Sequence, residues 1–464
     1  MSLNLVNPLS DGYFFSAHGA GGNPVDVPSK LVLKNPLKYR LTHKNANNII
    51  TIRGKQTLSG GDTRINTTTF NTIFQCPFPR FDAVRLIYGN VETGSATFTV
   101  KSVVGASNDV GIGGVSSSKK WTLPINNTTI TNDGATGWQA VTYAGGSSSG
   151  TVPAMGADTS QPGLLFSDWI YLSSMTPING ARRPFLITQT IVPSSTGTGF
   201  TNFNHKTDNR NKSFDTSIYR ETYVYTGDSV TANTGTFSGG SNQAVSPVIG
   251  VEFMVSTQVI RVLCVGDSIT QGLDNTNSSS NSWCDYASWV QYANDYCLDN
   301  GMPINFINCG FSGATTTQIH DFGKLAIDAH LPDVVFYPPF SPNDVNENSA
   351  QIPTQVLIDQ QWRRALNFAN YALSKGVLPV FTFLAPKDYS ATDDAFRIQL
   401  KNRAINCGFA VCDMTQASCD GGTPERYKTG FNSDATHPNV TGYQNMSLVA
   451  ISTVDDLAVR NTRW

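Results

Sequence analysis

A serine held at the end of a buried strand, and a histidine that follows an aspartate by three residues, are the parts from which acyl-transfer chemistry is assembled. This chain carries both. Gly266-Asp267-Ser268-Ile269-Thr270-Gln271-Gly272 stands directly behind the apolar run 259–265. Ser433-Asp434-Ala435-Thr436-His437-Pro438-Asn439 lies near the carboxyl end. A serine hydroxyl is a poor nucleophile until a base takes its proton, and a carboxylate that accepts the imidazole Nδ1 hydrogen orients that base. Asp434 can curl back within one turn onto His437, which leaves Nε2 free to face Ser268.

Two further segments supply groups able to steady a developing oxyanion. Asn308-Cys309-Gly310-Phe311-Ser312-Gly313 brings glycine where a backbone N–H must approach closely, and Ser341-Pro342-Asn343-Asp344 brings a side-chain amide. A tetrahedral intermediate needs such preorganised donors. A tight turn at Gly313 and an ordinary polar loop at Asn343 remain open readings of the same residues.

Other serines compete with Ser268. Gly227-Asp228-Ser229 repeats the tripeptide, but the residues after it, Ala232-Asn233-Thr234-Gly235, form helix poorly. Ser148, within Gly146-Ser147-Ser148-Ser149-Gly150, matches G-x-S-x-G in a low-complexity loop. That pattern carries meaning only between a strand and a helix. Of the six histidines, His18, His43 and His205 fall in the amino-terminal half without an evident partner, and His320 and His330 lie in a helical stretch.

The elements that position these residues change character along the chain. Residues 1–257 read as β: short β-branched and aromatic segments recur at 48–53, 83–88, 96–103, 138–143, 168–172, 185–192, 217–225 and 248–255, which predicts a sandwich or jelly roll. Gly/Ser/Thr/Asn-rich stretches near 104–151 and 194–246 are expected to carry long surface loops. From 258 to 464 strands and helices alternate, with strands at 259–265, 304–309, 333–337, 377–384 and 409–414. Helices are expected near 283–299, 315–330, 354–375 and 391–406, with a last one after Pro438. This predicts a flavodoxin-like parallel sheet covered on both faces. The four motifs all fall behind its strands, where such folds place their chemistry.

Composition narrows the function. Charged residues make up 14% of the 464, and the formal net charge is -2, so no electrostatic footprint for nucleic acid is present. No apolar stretch reaches the roughly 18 to 20 residues that span a bilayer. The amino terminus lacks the basic flank and apolar core of a cleavable signal peptide. With a polar, weakly charged composition, an extracellular or virion-associated setting is expected, a cytoplasmic one being the alternative. The eight cysteines show no metal-ligand spacing, so neither metal nor cofactor is expected, and the thiols are expected to be mostly free, with Cys412 and Cys419 one candidate disulfide pair.

Taken in order, the four motifs across 258–464 resemble the SGNH, or GDSL, hydrolase superfamily. The resemblance implies a flavodoxin-like α/β/α fold, Ser268 as nucleophile and His437 as base. It further implies Asp434 as the residue orienting that base, and Gly313 and Asn343 as oxyanion donors beside the Ser268 N–H. The third motif departs from the family pattern Gly-x-Asn-Asp, since Ser341 stands where glycine is usual. Ile269-Thr270 after Gly-Asp-Ser is similar to carbohydrate acetyl esterases, and a β domain ahead of the hydrolase is similar to such enzymes and to bacteriophage tail deacetylases. The expected reaction is removal of O-acetyl groups from a carbohydrate or polysaccharide. Rivals are a lipolytic or thioester acylhydrolase of the same fold, and a glycan-binding virion protein whose hydrolase domain is vestigial.

Overall fold

In the computed structural model the carboxy-terminal half is described at 247–272, 288–311, 313–347, 355–384, 391–422 and 425–462. In the amino-terminal half the described residues are mainly 49–53, 68–75, 81–90, 97–107, 139–153, 163–171, 185–192 and 220–226, with short pieces at 2–4, 14–16, 63–64 and 200–201. Ser229, His18, His43 and His205 lie outside the described residues.

Among its described residues the amino-terminal half holds antiparallel strands. One sheet runs in the order Gly163–Phe166, Ala83–Asn90, Val248–Met254, Ile49–Arg53. Another runs Arg220–Thr226, Thr68–Gln75, Phe185–Val192, Phe98–Ser107, Gln139–Ala140, with Gly150–Val152 also paired to Phe98–Ser107. Leu86, Tyr88, Val251 and Phe253 of the first sheet share one apolar cluster with Val100, Val104 and Leu186 of the second. Within that cluster the Tyr143 hydroxyl donates to the Tyr88 hydroxyl at 2.8 Å, and Tyr88 donates to Ser102 Oγ at 2.8 Å. Ser102 and Thr190 hydroxyls meet at 2.7 Å. Buried hydroxyls left unmade would each cost about 1–3 kcal/mol, so this relay fixes how the two sheets face each other.

Of the strand expected at 168–172, the described residues 168–171 form an isolated bridge rather than a strand. Among the described residues Ile170 bridges to Val84 while the Asp168 N–H turns to the Thr142 carbonyl at 2.8 Å, so the backbone divides between two neighbours. The Asp168 carboxylate accepts the N–H groups of Gly145 and Gly146 at 2.9 and 3.0 Å. Strand residues also enter the glycine- and serine-rich stretches, at Gln139–Ala140, Gly150–Val152 and Arg220–Thr226. Trp169 packs against the Arg85 guanidinium, 4.9 Å from its ring centroid.

Among the described residues the carboxy-terminal half forms a five-stranded parallel sheet with helices packed on it. In chain order its strands are Ile260–Gly266, Ile304–Gly310, Val334–Tyr337, Leu378–Phe383 and Ala410–Asp413; in space the order is second, first, third, fourth, fifth. Near-continuous apolar runs form strands buried on both faces. Alternation then sorts them: Leu263 and Val265 face helices Thr316–His330 and Gln355–Ser374, while Val262 and Cys264 face Trp289–Asp299 and Val440–Thr462. The order in which strands are added switches side between the first and third strands, and the crevice outside their carboxyl ends is where ligands of such sheets bind.

Cys412 and Cys419, the candidate pair, are not joined. They are free thiols, as are Cys264, Cys297, Cys309 and Cys407. Burial pushes both Cys412 and Cys419 up to about 12, so they behave as small apolar groups. Among the described residues no helix is long and apolar enough to cross a membrane, and no cluster of three or more His, Cys, Asp or Glu could hold a metal ion.

Candidate active site

The first parallel strand ends at Gly266, where a Cβ would lie 2.1 Å from Thr270 Oγ1. Asp267 follows as the N-cap of a single helical turn, Ser268–Gln271, and its carboxylate accepts the Ile269 N–H at 2.9 Å. Gly272 closes the turn at φ 99, in the left-handed region, donating its N–H to the Ser268 carbonyl. Ser268 therefore occupies the first position of a turn capped at both ends.

Gly310, at the end of the second strand, sets how closely that turn can seat. A Cβ there would meet Gln271 N at 2.2 Å and the Thr270 carbonyl carbon at 2.6 Å, both backbone atoms that cannot swing away. Gly310→Ala must displace the turn that carries Ser268. A misplacement near 1 Å can cost about a hundredfold in turnover. The expected result is a loss of that order in aryl-ester hydrolysis together with a lower Tm; wild-type turnover in the variant would contradict it.

His437 reaches Ser268 from a different direction. The loop before the last helix is cross-tied: Ser433 N–H donates to the His437 carbonyl at 2.8 Å, and the Tyr427 hydroxyl donates to the Thr436 carbonyl at 2.8 Å. Asn439 N–H reaches the Phe431 carbonyl at 3.0 Å. Asp434 Oδ1 accepts the N–H groups of Thr436 and His437, each at 2.6 Å, and Oδ2 lies 2.9 Å from His437 Nδ1. Nε2 lies 2.9 Å from Ser268 Oγ. One carboxylate thus fixes both the backbone turn and the ring. Burial pushes the Asp434 carboxyl up, but the His437 ring and the two N–H donors outweigh it and hold the group below the usual carboxylate range.

Both oxyanion candidates lie at the same sheet edge. Gly313 is in the left-handed region at φ 74 and is exposed. Asn343 is half-buried, and its amide donates to the Ala314 carbonyl at 3.1 Å and to Ser341 Oγ at 3.3 Å. Ser148, by contrast, is exposed in a tight turn of the β half, with neither a strand before it nor a helix after it. His330 is buried beside Glu252, and His320 pairs with Asp321, so neither is drawn into this site.

Three residues that the sequence left in the background also belong here. Asp267 accepts a hydrogen bond from the Ser341 hydroxyl at 2.7 Å. Asp344, fully buried, accepts the Thr316 N–H at 2.8 Å and the Ser341 N–H at 3.0 Å, and also takes the Thr316 hydroxyl. It thereby fixes the helix that follows Gly313 to the short helix Pro342–Glu347 that carries Asn343. Burial pushes its carboxyl up to about 6 against the pull of those donors. Asp267 was recognisable as a capping aspartate before a helix; Ser341 and Asp344 act across loops that are far apart in sequence.

Residues 264–444 match the model of the GDSL-like lipase/acylhydrolase family. This segment is a GDSL-like lipase/acylhydrolase, or SGNH, domain. Members of that family are ester hydrolases. The GDSL domain is also similar to solved structures: a GDSL-like lipase from Bacteroides thetaiotaomicron is 19% identical, over 42% of this chain and 88% of that one, with a TM-score of 0.33. A Clostridium thermocellum family 3 carbohydrate esterase is 16% identical over 44% and 99%, with a TM-score of 0.30. An acetyl-xylooligosaccharide esterase from Geobacillus Stearmophilus is 17% identical over 42% and 93%, with a TM-score of 0.33. No curated protein sequence matches the chain.

Proposed function

We propose that the GDSL domain is a serine esterase that removes O-acetyl groups from a carbohydrate or polysaccharide. The observation that carries the reading is the continuous chain from Asp434 through His437 to Ser268, at 2.9 Å on each side of the ring. Ser268 Oγ attacks the acyl carbonyl while His437 Nε2 takes its proton. The oxyanion is met by the N–H groups of Ser268 and Gly313 and by the Asn343 amide. As the C–O bond to the sugar breaks, His437 returns the proton to the leaving hydroxyl. A water molecule, deprotonated by His437, then releases acetate and restores Ser268. Acetyl rather than long-chain specificity rests on Ile269-Thr270 after Gly-Asp-Ser, which is similar to carbohydrate acetyl esterases.

In this reading residues 258–464 are the catalytic domain, and residues 1–257 form an accessory β sandwich that binds glycan or joins a larger particle, in an extracellular or virion-associated setting such as a phage tail. The test measures p-nitrophenyl esters of increasing chain length and acetate release from a panel of acetylated polysaccharides. Acetyl esters are expected to turn over faster than octanoyl or longer ones, with acetate released from at least one polysaccharide. Preference for long chains would replace the reading with a lipolytic one, and inactivity on every substrate would leave a glycan-binding protein with a vestigial site.

A further inference from the structure

We propose that Ser341 is a positioning residue, whose hydroxyl ties the nucleophile turn to the Asn343 amide and holds that amide ready for the oxyanion. The inference deepens the esterase reading and rests on it. Ser341 is fully buried and stands where the family pattern has glycine, which has no side chain to offer.

The hydrogen bonds around it define the role. Ser341 Oγ lies 2.7 Å from Asp267 Oδ2 and 2.9 Å from the Ala314 carbonyl. A hydroxyl has a single proton, and an ionised carboxylate is the stronger acceptor. The proton therefore goes to Asp267, and the Ala314 carbonyl is satisfied instead by the Asn343 amide at 3.1 Å. The Ser341 lone pairs then face Asn343, whose backbone N–H and amide Nδ2 both lie 3.3 Å away. Asp267 in turn caps the turn that begins with Ser268. One oxygen thus joins the segments behind the first and third strands, and the Ala314 carbonyl brings in the segment behind the second.

The geometry also sets how the amide would meet the oxyanion. The Ala314 carbonyl at 3.1 Å and the Ser341 hydroxyl at 3.3 Å are themselves 2.9 Å apart, so both lie on one side of the amide nitrogen and leave its second hydrogen to be turned outward. A developing oxyanion is the stronger acceptor and takes that second hydrogen without repositioning the side chain. Without Ser341 the amide keeps only the Ala314 carbonyl as its acceptor, and the Asp267 carboxylate loses a donor in a site where burial already pushes its carboxyl up.

The test compares kcat, KM and Tm for p-nitrophenyl acetate in the wild type, S341A, S341G, N343A and the double variant S341A/N343A. S341A and S341G are expected to lower kcat about tenfold or more while KM moves less than about threefold, since the lost interaction is made in the transition state. S341A/N343A should be no slower than N343A alone, because Ser341 acts through that amide. Both single replacements at 341 are smaller than serine, so S341G carries the measurement if S341A fails to fold. Unchanged kcat in the folded variants, or losses that multiply in the double variant, would overturn the proposal. An inactive wild-type enzyme would instead count against the esterase reading beneath it.

Discussion

Ser268→Ala is expected to lower kcat for an acetyl ester by about a millionfold while Tm stays near the wild-type value, because in a Ser-His-Asp site the nucleophile and base act as one unit. His437→Ala should cost nearly as much, since without it no group takes the serine proton. The replacement that separates the roles is Asp434→Asn. An asparagine amide can still accept from the Thr436 and His437 N–H groups at 2.6 Å through its oxygen, so the turn persists. What it cannot do is favour the tautomer with a hydrogen on Nδ1 and an open Nε2 toward Ser268, 2.9 Å away. The loss should be about ten-thousandfold, smaller than for Ser268 or His437. Steady-state rates on p-nitrophenyl acetate, beside melting curves, read all three. If Ser268→Ala keeps wild-type turnover, the nucleophile lies elsewhere and Ser229 becomes the next serine to replace.

The carboxy-terminal half was largely legible because parallel strands buried on both faces are written as unbroken apolar runs. The run 259–265 became Ile260–Gly266, and the stretch 354–375 became Gln355–Ser374, ended by Gly376 at φ 78. The candidate site was legible for a related reason: a sheet of this order delivers every post-strand loop to one edge, so motifs spread from Ser268 to His437 converge. Illegible were the contacts that exist only after convergence. Ser341 and Asp267 are 74 residues apart, and Thr316 and Asp344 are 28 apart; no period or spacing pairs them. The described residues 168–171 form no strand for a tertiary reason: the Asp168 N–H goes to the Thr142 carbonyl while Ile170 pairs with Val84, a division that no local pattern records.

The same logic singles out the ion cluster between the halves as the largest stability effect. Glu252 lies on Val248–Met254 of the antiparallel sheet, and Arg261 on the first parallel strand; both are almost wholly buried. Glu252 Oε1 lies 3.2 Å from the Arg261 guanidinium, and Arg85 Nε donates to Oε2 at 2.9 Å. His330 Nδ1 stands 3.6 Å from Oε1, and Phe166 packs edge-on to the His330 ring. Burial alone would raise the Glu252 carboxyl, but the neighbouring His330 ring and the Arg261 and Arg85 charges bring it down to about 2. Removing one member of a buried pair leaves an uncompensated charge and costs about 3–5 kcal/mol. Glu252→Gln should therefore lower Tm at pH 7 on the order of 10 °C.

The sign of the pH dependence follows from the depressed carboxyl. The stability that Glu252 contributes is present above the ordinary value of 4.5 and is lost as pH falls toward about 2. The gap between wild type and Glu252→Gln should accordingly be widest near neutrality and narrow steadily as the medium is acidified below the ordinary carboxylate range. A variant that melts with the wild type at pH 7, or a gap that does not change with pH, would show that the cluster contributes little. Because Glu252 and Arg261 stand on either side of residue 257, cutting there strips Arg261 and His330 of the same carboxylate. The isolated segment 258–464 should therefore melt below the full chain, by a margin close to that of Glu252→Gln or larger.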